Sequence, residues 1–473
     1  MMAEKNNNVI KNDKKPNKRA TVVPPSPPKD RTIIILFISL LLDLLAFTMI
    51  LPLFPALLDH YRSQENDWLY KVLTTNLEWC QTKFGVPERF NSVLFGGVLG
   101  SMFSFLQFIA SPMIGALSDR FGRKPLLILC MIGITLSHVL WALSSNMLLF
   151  VLARFVGGIS KGNISLSMAI IADITGRKAR GRNMALVGIA FSLGFILGPI
   201  IGAAFAHWAR AQTGQWYIYP ALFAFLLSAM DLVFVIFAYK ETLPPSKRNK
   251  VFAESLQEAF SLLNVNDLFK FQLVRGLSKK QKKEVEALGW VYFMYLFIYS
   301  GLEFTLTFLT HHVFGYTSMQ QGWMFFGIGI VMSVIQGRFV RRFEEQQVVV
   351  AAVYSLWILI PSFILIGISS PATKLLNYCL YAGILVLAVS TAFVVSCLTT
   401  MVSHYGPHSQ KGTVMGIFRS LGSLARAIGP IVASISFWCL GATMTYCIGS
   451  LALILPAVKL HMTFRMEENK KLS

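Results

Sequence analysis

Ionisable side chains interrupt several long apolar runs of the sequence. They are three acids and two pairs of bases, with the members of each pair seven residues apart: Asp43, Asp231, Glu303, Arg154 with Lys161, and Arg419 with Arg426. A charge at the centre of a bilayer costs about 2.5–3.5 kcal/mol on insertion scales. We therefore expect these residues to pair with one another or to bind a solute or a proton. Static ion pairs between helices are the structural alternative.

Proton binding is the chemistry that the acids suggest. Asp43 and Glu303 lie in the first and seventh apolar runs, and alignment of Phe47-Thr48 with Phe304-Thr305 puts them on the same side of matching helices. A carboxyl removed from water takes up a proton more readily than one in water. We interpret both as cavity acids, and Asp231 as a weaker candidate.

The bases Arg154, Lys161 and Arg419 are the residues expected to tune these acids as neighbouring charges. The sequence contains no nucleophile elbow, phosphate loop or His-Glu-x-x-His pattern, so we predict no enzyme, no cofactor and no metal site. His311 and His312 are expected to be interfacial residues rather than ligands.

Composition identifies the environment that must hold these charges. Hydrophobic residues make up 54% of the 473 residues, and the mean hydropathy is +0.57. The net charge of +20 would suggest nucleic acid in a soluble protein, but here most bases lie in loops that flank apolar runs. Such an excess marks cytosolic loops and predicts that both termini are cytosolic. Plasma membrane and organelle membrane stay open, and no nucleic-acid partner is expected.

Twelve apolar spans in two groups of six predict an all-α membrane protein. The predicted units are a disordered cytosolic tail, a first six-helix bundle, a cytosolic linker with an amphipathic helix, a second six-helix bundle and a cytosolic tail: 1–31, 32–239, 240–288, 289–460 and 461–473. Helices 5 and 11 share a glycine-proline pattern, which indicates an internal repeat. Its residues are candidates for a gate or an ordinary kink, because glycines admit close helix contact and proline bends a helix: Gly194, Gly198, Pro199, Gly202, Gly429 and Pro430.

A polar motif lies between the second and third apolar runs, 91–114 and 125–145, and is predicted to form a tight turn. It reads G-x-L-x-D-R-x-G-R-K-P, and its key residues are Gly115, Asp119, Arg120, Gly122, Arg123 and Lys124. This pattern resembles the signature of the loop between helices 2 and 3 in the Major Facilitator Superfamily. Two further stretches, 42–55 and 172–175, resemble its tetracycline/proton antiporter branch, and Arg154-Phe155-Val156-Gly157-Gly158 resembles a helix-4 motif implicated there in proton coupling.

The resemblance covers about residues 32–460 and implies a secondary transporter that works by alternating access. It implies small organic substrates, such as organic anions or drug-like compounds, exchanged for protons by a monomer in a lipid bilayer. The loop motif would be a conformational latch, a contact that holds the inward face closed. Two alternatives remain: an uncoupled facilitator, and a non-transporting membrane scaffold that binds a partner through its tail and the 240–288 segment.

Overall fold

Long apolar helices dominate the structure, as the uncharged runs predict. The computed structural model describes residues 29–63, 67–84, 90–175, 177–210, 216–244, 260, 263–274, 276–405 and 411–472. The helices of the first half are α1 (Lys29–Thr48), α2 (Phe54–Ser63), α3 (Trp68–Phe84), α4 (Asn91–Phe121), α5 (Arg123–Ala142), α6 (Met147–Ser160), α7 (Asn163–Ile174), α8 (Arg177–Arg210) and α9 (Ile218–Ala238). Those of the second half are α10 (Val265–Phe269), α11 (Lys279–His312), α12 (Ser318–Arg338), α13 (Glu345–Ile368), α14 (Lys374–Ser403) and α15 (Lys411–Leu472).

Twelve membrane crossings follow from these helices. Within the described residues, eleven helical stretches are long and apolar enough to cross a bilayer. The last of them, Val414–Phe464, has 51 residues, whereas one crossing takes about 20. Gly441 breaks it with a φ of 78°, a conformation that glycine adopts readily. This stretch therefore supplies two crossings, and the predicted fold of two six-helix repeats is confirmed.

The fourth predicted span, 147–171, is not one continuous helix. α6 ends at Ser160 and α7 begins at Asn163, so Lys161 and Gly162 form a break inside the membrane. The side chain of Asn146 starts α6 by accepting a hydrogen bond from the Leu149 amide. Lys161 is the C-cap residue that ends α6 at this break.

The internal repeat appears as two equivalent helix contacts. In the first half, Gly198 of α8 lies against Leu45 and Thr48 of α1. In the second half, Gly429 of α15 lies against Phe297 and Ser300 of α11. Glycine permits both close approaches because it has no side chain to separate the backbones. The two halves meet where α15 packs on α4 and where α12 packs on α8.

The predicted turn over 115–125 is wrong in extent, because the two flanking helices run into the motif. α4 continues to Phe121 and α5 starts at Arg123, which leaves Gly122 as a turn of one residue. Its φ of 105° explains why glycine is needed there. Ser118 lies inside α4, and its hydroxyl donates to the Gly115 carbonyl.

Several predicted loops contain helix. The polar stretch 59–90, which separates the first two apolar runs, is one of them and includes the end of α2 and all of α3. α11 begins at Lys279, where Ser278 and Gln281 form a capping box, so residues 279–288 belong to a membrane helix. The expected tail 461–473 is helical as far as Leu472. The predicted amphipathic helix at 252–263 falls almost wholly outside the described residues, as does the tail from 1 to 28.

Candidate functional site

A buried ion pair lies at the centre of the first bundle. Asp43 of α1 is 1% exposed and accepts hydrogen bonds through both carboxylate oxygens. Oδ1 lies 2.6 Å from the Lys161 ammonium, and Oδ2 lies 2.7 Å from the Asn163 amide nitrogen. Both partners lie at the break between α6 and α7. The expected pairing of membrane charges therefore occurs here within one half.

Aromatic rings lie against Arg154 and Lys161, the two bases of the fourth membrane span. The Arg154 guanidinium carbon lies 4.4 Å from the Phe103 ring centre and 5.9 Å from that of Phe47. The Lys161 nitrogen lies 4.7 Å from the same Phe47 ring. The seven-residue spacing thus brings both bases to one ring, as their shared helix face suggested. Among the described residues, no carboxylate forms an ion pair with Arg154.

Asp231 of α9 is the least satisfied acid of the first bundle. It is fully buried, and neither carboxylate oxygen has a hydrogen bond of normal geometry. The groups that act on it electrostatically are Ser39, Asp43 and Lys161. It belongs to the same polar cluster as the ion pair. Nothing in the sequence spacing of Asp231 predicts this neighbourhood, and on sequence alone it was a weaker proton-binding candidate than Asp43 and Glu303.

The second half has a different set of charges. Glu303 of α11 is half-buried, and the groups that interact with its carboxyl are Arg426 and Tyr299. Arg426 itself is exposed. Arg419 of α15 reaches across to the first half, where a guanidinium nitrogen lies 2.7 Å from the Met168 sulfur. Asp43 and Glu303, which occupy matching positions in the first and seventh membrane spans, therefore have different surroundings.

The two halves are joined at the face opposite Gly122, which we call the distal face. The Trp438 indole donates to Asn91 over 3.0 Å, and the two histidines at the end of α11 contact residues of the first half. His311 Nε2 lies 2.9 Å from Asp59 Oδ2, and His312 Nε2 lies 2.9 Å from the Ser92 hydroxyl. These contacts hold the distal face closed.

Arg123 organises the face that carries the loop motif. Its guanidinium lies 2.8 Å from Asp119 Oδ1 and 2.8 Å from Asp173 Oδ2, and it also donates to the Ser118 hydroxyl. These partners belong to α4 and to the end of α7. Arg123 therefore fastens three helices of the first half through charge-assisted hydrogen bonds.

Glu241 completes this cluster from beyond α9. Its carboxylate accepts hydrogen bonds from the backbone amides of Arg123 and Lys124, each over 3.1 Å. A carboxylate at a helix start satisfies free amides and complements the helix dipole. The Lys124 ammonium donates to the Ile236 carbonyl over 2.8 Å. These bonds tie the start of α5 to the end of α9.

The remaining motif residues lie around this cluster. Arg120 is exposed, with its guanidinium 5.5 Å from the Phe121 ring. Gly115 lies within α4 and has open space beside it.

The model of the Major Facilitator Superfamily matches residues 36–430. The chain belongs to this superfamily. It is 44% identical over 438 residues to the human major facilitator superfamily domain-containing protein 10, covering 91% of this chain and 92% of that protein. It is 26% identical over 408 residues to the class B tetracycline resistance protein of Escherichia coli, covering 84% and 86%.

Solved structures agree with this assignment. The crystal structure of the human organic anion transporter MFSD10 (TETRAN) superimposes with a TM-score of 0.75 at 43% identity, covering 92% of this chain and all of that one. A bacterial homologue of the lysosomal transporter Spinster, inward-facing and unoccupied, gives a TM-score of 0.64 at 14% identity, which shows the fold alone. The resemblance predicted from the motifs is confirmed: the chain is a multi-pass membrane transporter of a non-enzymatic family.

The glycine-proline pattern of this superfamily member lies where helices contact most closely. Gly194 and Gly198 of α8 meet Leu44 and Thr48 of α1, and Gly202 meets Met49 just after α1. The Gly194 carbonyl accepts a hydrogen bond from the Thr48 hydroxyl over 2.8 Å. The Pro199 carbonyl faces Gly322 of the second half. The pattern thus serves both packing within the bundle and contact between halves.

The glycine-proline pattern of α15 in the second half, Gly429-Pro430, also contacts the first bundle. The Pro430 carbonyl faces Gly97 of α4, and the next amide, that of Ile431, donates to the Ser101 hydroxyl over 2.9 Å. A polar side chain commonly satisfies backbone groups that a proline disturbs in a membrane helix. The gate predicted from these glycines and prolines stays a prediction.

Sequence reasoning missed three partners that the structure brings in. Asn163 completes the Asp43 site, Asp173 is the second acid on Arg123, and Glu241 caps α5. The sequence did give a sign of Asp173, because this residue comes shortly before a basic loop and belongs to the stretch 172–175 that resembles the tetracycline branch. The other two depend on contacts between distant helices.

Proposed function

We propose that this chain carries small organic anions across a membrane by alternating access and exchanges them for protons. The observation that carries the choice of an anion is the pair of interior guanidiniums, Arg154 and Arg419, that lack a carboxylate partner among the described residues. A relative of 43% identity is described as an organic anion transporter, which supports the same choice.

The charge balance of the interior favours an anionic substrate. Lys161 and Asp43 neutralise each other, whereas Arg154 has aromatic faces and Arg419 has a thioether sulfur as partners. A thioether is a weak acceptor, and an unpaired charge in the membrane is costly. A bound carboxylate or sulfonate would complete these guanidiniums with paired hydrogen bonds.

Proton exchange is the second part of the proposal. Glu303 and Asp43 are the acids we propose to carry the proton, with Arg154 tuning them as the halves move. Protonation of Asp43 at Oδ1 would end its ion pair with Lys161, so a proton there would free Lys161 as well. Glu303 has no such tight pair and is the first acid to test. Asp231 is the next.

Conformational change is the third part. The distal face is closed by Asp59, Asn91 and Ser92 with their partners in the second half. We propose that this face opens when the opposite face closes, and that the loop cluster around Arg123 acts as the latch of that closure. The excess of bases in the loops supports placing both termini, and the loop cluster with them, in the cytosol.

Transport in sealed proteoliposomes tests this proposal. The full chain is reconstituted, and uptake of carboxyfluorescein is followed with and without an imposed pH gradient, with a cationic rhodamine of similar size as the control solute. We expect accumulation of the anion only when protons can flow the opposite way. Uptake independent of the gradient would indicate an uncoupled facilitator, and no uptake of any anion tested would favour a scaffold.

Arginine variants identify where the anion binds. Arg154→Met and Arg419→Met should each raise the KM for the anion about tenfold or more, because a hydrogen bond to a charged group contributes about 1.5–3 kcal/mol. Arg342→Gln removes an exposed arginine on the loop side and serves as the matched control. An unchanged KM in both interior variants would contradict the anion site.

A further inference from the structure

We infer that a basic cavity at the face that carries the loop motif binds the phosphorylated headgroup of an anionic membrane lipid. The cavity has a volume of about 480 Å³ and lies between α10, the start of α11 and the later part of α15. Small-molecule sites usually have volumes of about 300–1,000 Å³. The polar residues that line the cavity are Lys283, Glu286 and Trp290 of α11 and Lys459 of α15.

The course of α11 and α15 places the cavity at the loop face. α11 ends at the distal face with His311 and His312, so its start at Lys279 lies at the opposite face. α15 breaks at Gly441, just after the Trp438 contact at the distal face, and its later residues return to the loop face. Anionic lipids are concentrated in the cytoplasmic leaflet of a membrane. The choice of this leaflet alone rests on the topology proposed above.

The segment that precedes α11 supplies the third wall of the cavity. Phe269 of α10 lines it, and the ring centre of Phe269 lies 5.1 Å from that of Phe293 in an edge-on contact. The fully buried Phe271 ring packs on Gly289 of α11, where an added methyl group would lie 2.7 Å from a ring atom. Because residue 289 has no side chain, this segment lies directly on α11. The cavity is therefore formed by three elements that pack on one another.

Three hydrogen-bond donors of the cavity have no partner in the described part of the chain. Neither the Lys283 nor the Lys459 ammonium forms an ion pair there, and the Trp290 indole donates no hydrogen bond there. The one acid of the lining, Glu286, pairs with neither lysine, so the cavity keeps a net positive charge. A phosphate monoester carries about 1.5–2 negative charges at pH 7 and offers three acceptor oxygens. It matches two ammoniums and one indole N–H.

The start of α11 also favours an anion. Four of its first five residues are lysines, and its first turn contains no acid: Lys279, Lys280, Lys282 and Lys283. The helix dipole makes positive charge unfavourable at a helix start. A bound anion offsets this conflict, because it neutralises the lysines and itself interacts favourably with the dipole.

The surface beside Lys459 indicates that the anion belongs to a lipid. Leu451 and Leu455 precede Lys459 by eight and four residues, so the three side chains share one face of α15. The two leucines are 66% and 57% exposed, as expected where acyl chains cover a membrane helix. A lysine that ends such an apolar stripe, with a half-buried tryptophan beside it, is typical of the depth at which headgroups meet hydrocarbon.

Lipid binding to the purified full chain tests the inference. The protein in a neutral detergent is titrated with dioctanoyl phosphatidylinositol 4-phosphate, and bound lipid is counted by native mass spectrometry. We expect one site, with an affinity at least tenfold higher than for dioctanoyl phosphatidylcholine. Lys283→Gln and Lys459→Gln should each weaken binding about fivefold, the effect of one base at an anionic surface. Trp290→Phe keeps an aromatic ring without the N–H and should weaken binding about tenfold.

Lys282→Gln is the matched control for a cavity as opposed to a generally basic surface. Lys282 is exposed and precedes Lys283 by one residue, but it does not line the cavity. Lys282→Gln should bind the lipid within twofold of the wild type, and so should Lys283→Arg, which keeps the charge. Equal losses in Lys282→Gln and Lys283→Gln would overturn the cavity site. Equal wild-type affinity for phosphatidylinositol 4-phosphate and phosphatidylcholine would also overturn it.

A soluble competitor separates a lipid headgroup from a free organic phosphate. Inositol 1,4-bisphosphate carries the same phosphates without acyl chains, so it should displace the lipid only at a concentration at least tenfold higher. Equal potency of the two compounds would contradict the assignment to a lipid. None of these measurements involves transport, so failure of the lipid site and failure of the proposed function are distinguishable.

Discussion

The Asp43 carboxylate and the Lys161 ammonium lie 2.6 Å apart, although the residues belong to the first and fourth membrane spans. Both side chains are almost fully buried. Removing two charges from water is expensive, and the cost is recovered only if each is paired and hydrogen-bonded. The Asn163 amide supplies the additional bond to Asp43. Replacing either residue by a neutral one therefore leaves the other as a buried charge without its ion-pair partner.

We predict that either single substitution in this pair destabilises the protein far more than the double substitution does. Lys161→Met and Asp43→Asn should each destabilise the protein by about 3–5 kcal/mol, the usual cost of breaking a buried pair. The double variant should recover most of this loss, because no charge is left unpaired. Thermal unfolding in detergent measures all three.

A pair on α11 whose basic member is exposed provides the control for that measurement. Lys280 lies 3.7 Å from Glu284, and its side chain is 66% exposed whereas that of Glu284 is 12% exposed. Lys280→Met should cost less than about 1 kcal/mol, because a solvated ammonium contributes little to such a pair. If the double variant of the buried pair were as unstable as the sum of its single variants, Asp43 and Lys161 would not be energetically coupled.

Much of the fold could be predicted from the sequence because it depends on local patterns. Apolar run length gives the number of spans, and the glycine-proline repeat gives the two matching halves. The motif at 115–125 gave the family. These features need no knowledge of which helices touch.

The site could be predicted only in part, because its contacts are made between helices distant in sequence. Asp43, Arg154 and Lys161 were identified as membrane charges, but the break at Lys161-Gly162 that pairs Lys161 with Asp43 has no clear sequence signal. Glu241 lies 118 residues from the amide of Arg123 that it caps. Periodicity cannot report such a contact.

We predict that Glu303→Gln separates proton coupling from exchange. A neutral amide keeps the shape of the side chain but cannot take up and release a proton. The variant should lose accumulation driven by a pH gradient and should keep exchange of the anion between equal pools. Glu286→Gln, near the start of the same helix, should behave as the wild type. Continued proton-driven accumulation by Glu303→Gln would move the assignment to Asp43 or Asp231.

The loop cluster gives a prediction that distinguishes a latch from a topological anchor. Arg123 contacts two carboxylates at once, which a lysine cannot do with the same geometry. Arg123→Lys keeps the positive charge that sets topology, yet it should lower turnover about threefold to tenfold, the effect of weakening a charged hydrogen bond. Asp119→Asn should do the same, with the KM unchanged.

Topology and transport together decide between these two roles. A thiol-labelling map with impermeant reagents should show the same orientation for Arg123→Lys, Asp119→Asn and the wild type. Normal turnover in both variants would leave the cluster with the anchoring role alone.

The contact between α8 and α1 supports a prediction on two glycines of one helix. A methyl group on Gly198 would lie 3.0 Å from the Leu45 carbonyl oxygen and closer still to the Thr48 hydroxyl, which is held by bonds of 2.8 Å to the Leu44 and Gly194 carbonyls. Gly198→Ala should therefore force the helices apart and destabilise the protein by about 1–3 kcal/mol, the range for overpacking.

Gly188 lies earlier on α8 and serves as the matched control for Gly198→Ala. It has no neighbouring atom within 4 Å of an added methyl group, so Gly188→Ala should gain up to about 1 kcal/mol from helix propensity alone. Thermal unfolding should give a Tm below that of the wild type for Gly198→Ala and a Tm above it for Gly188→Ala. If Gly198→Ala were as stable as Gly188→Ala, α8 and α1 would not be held at this distance in the folded protein.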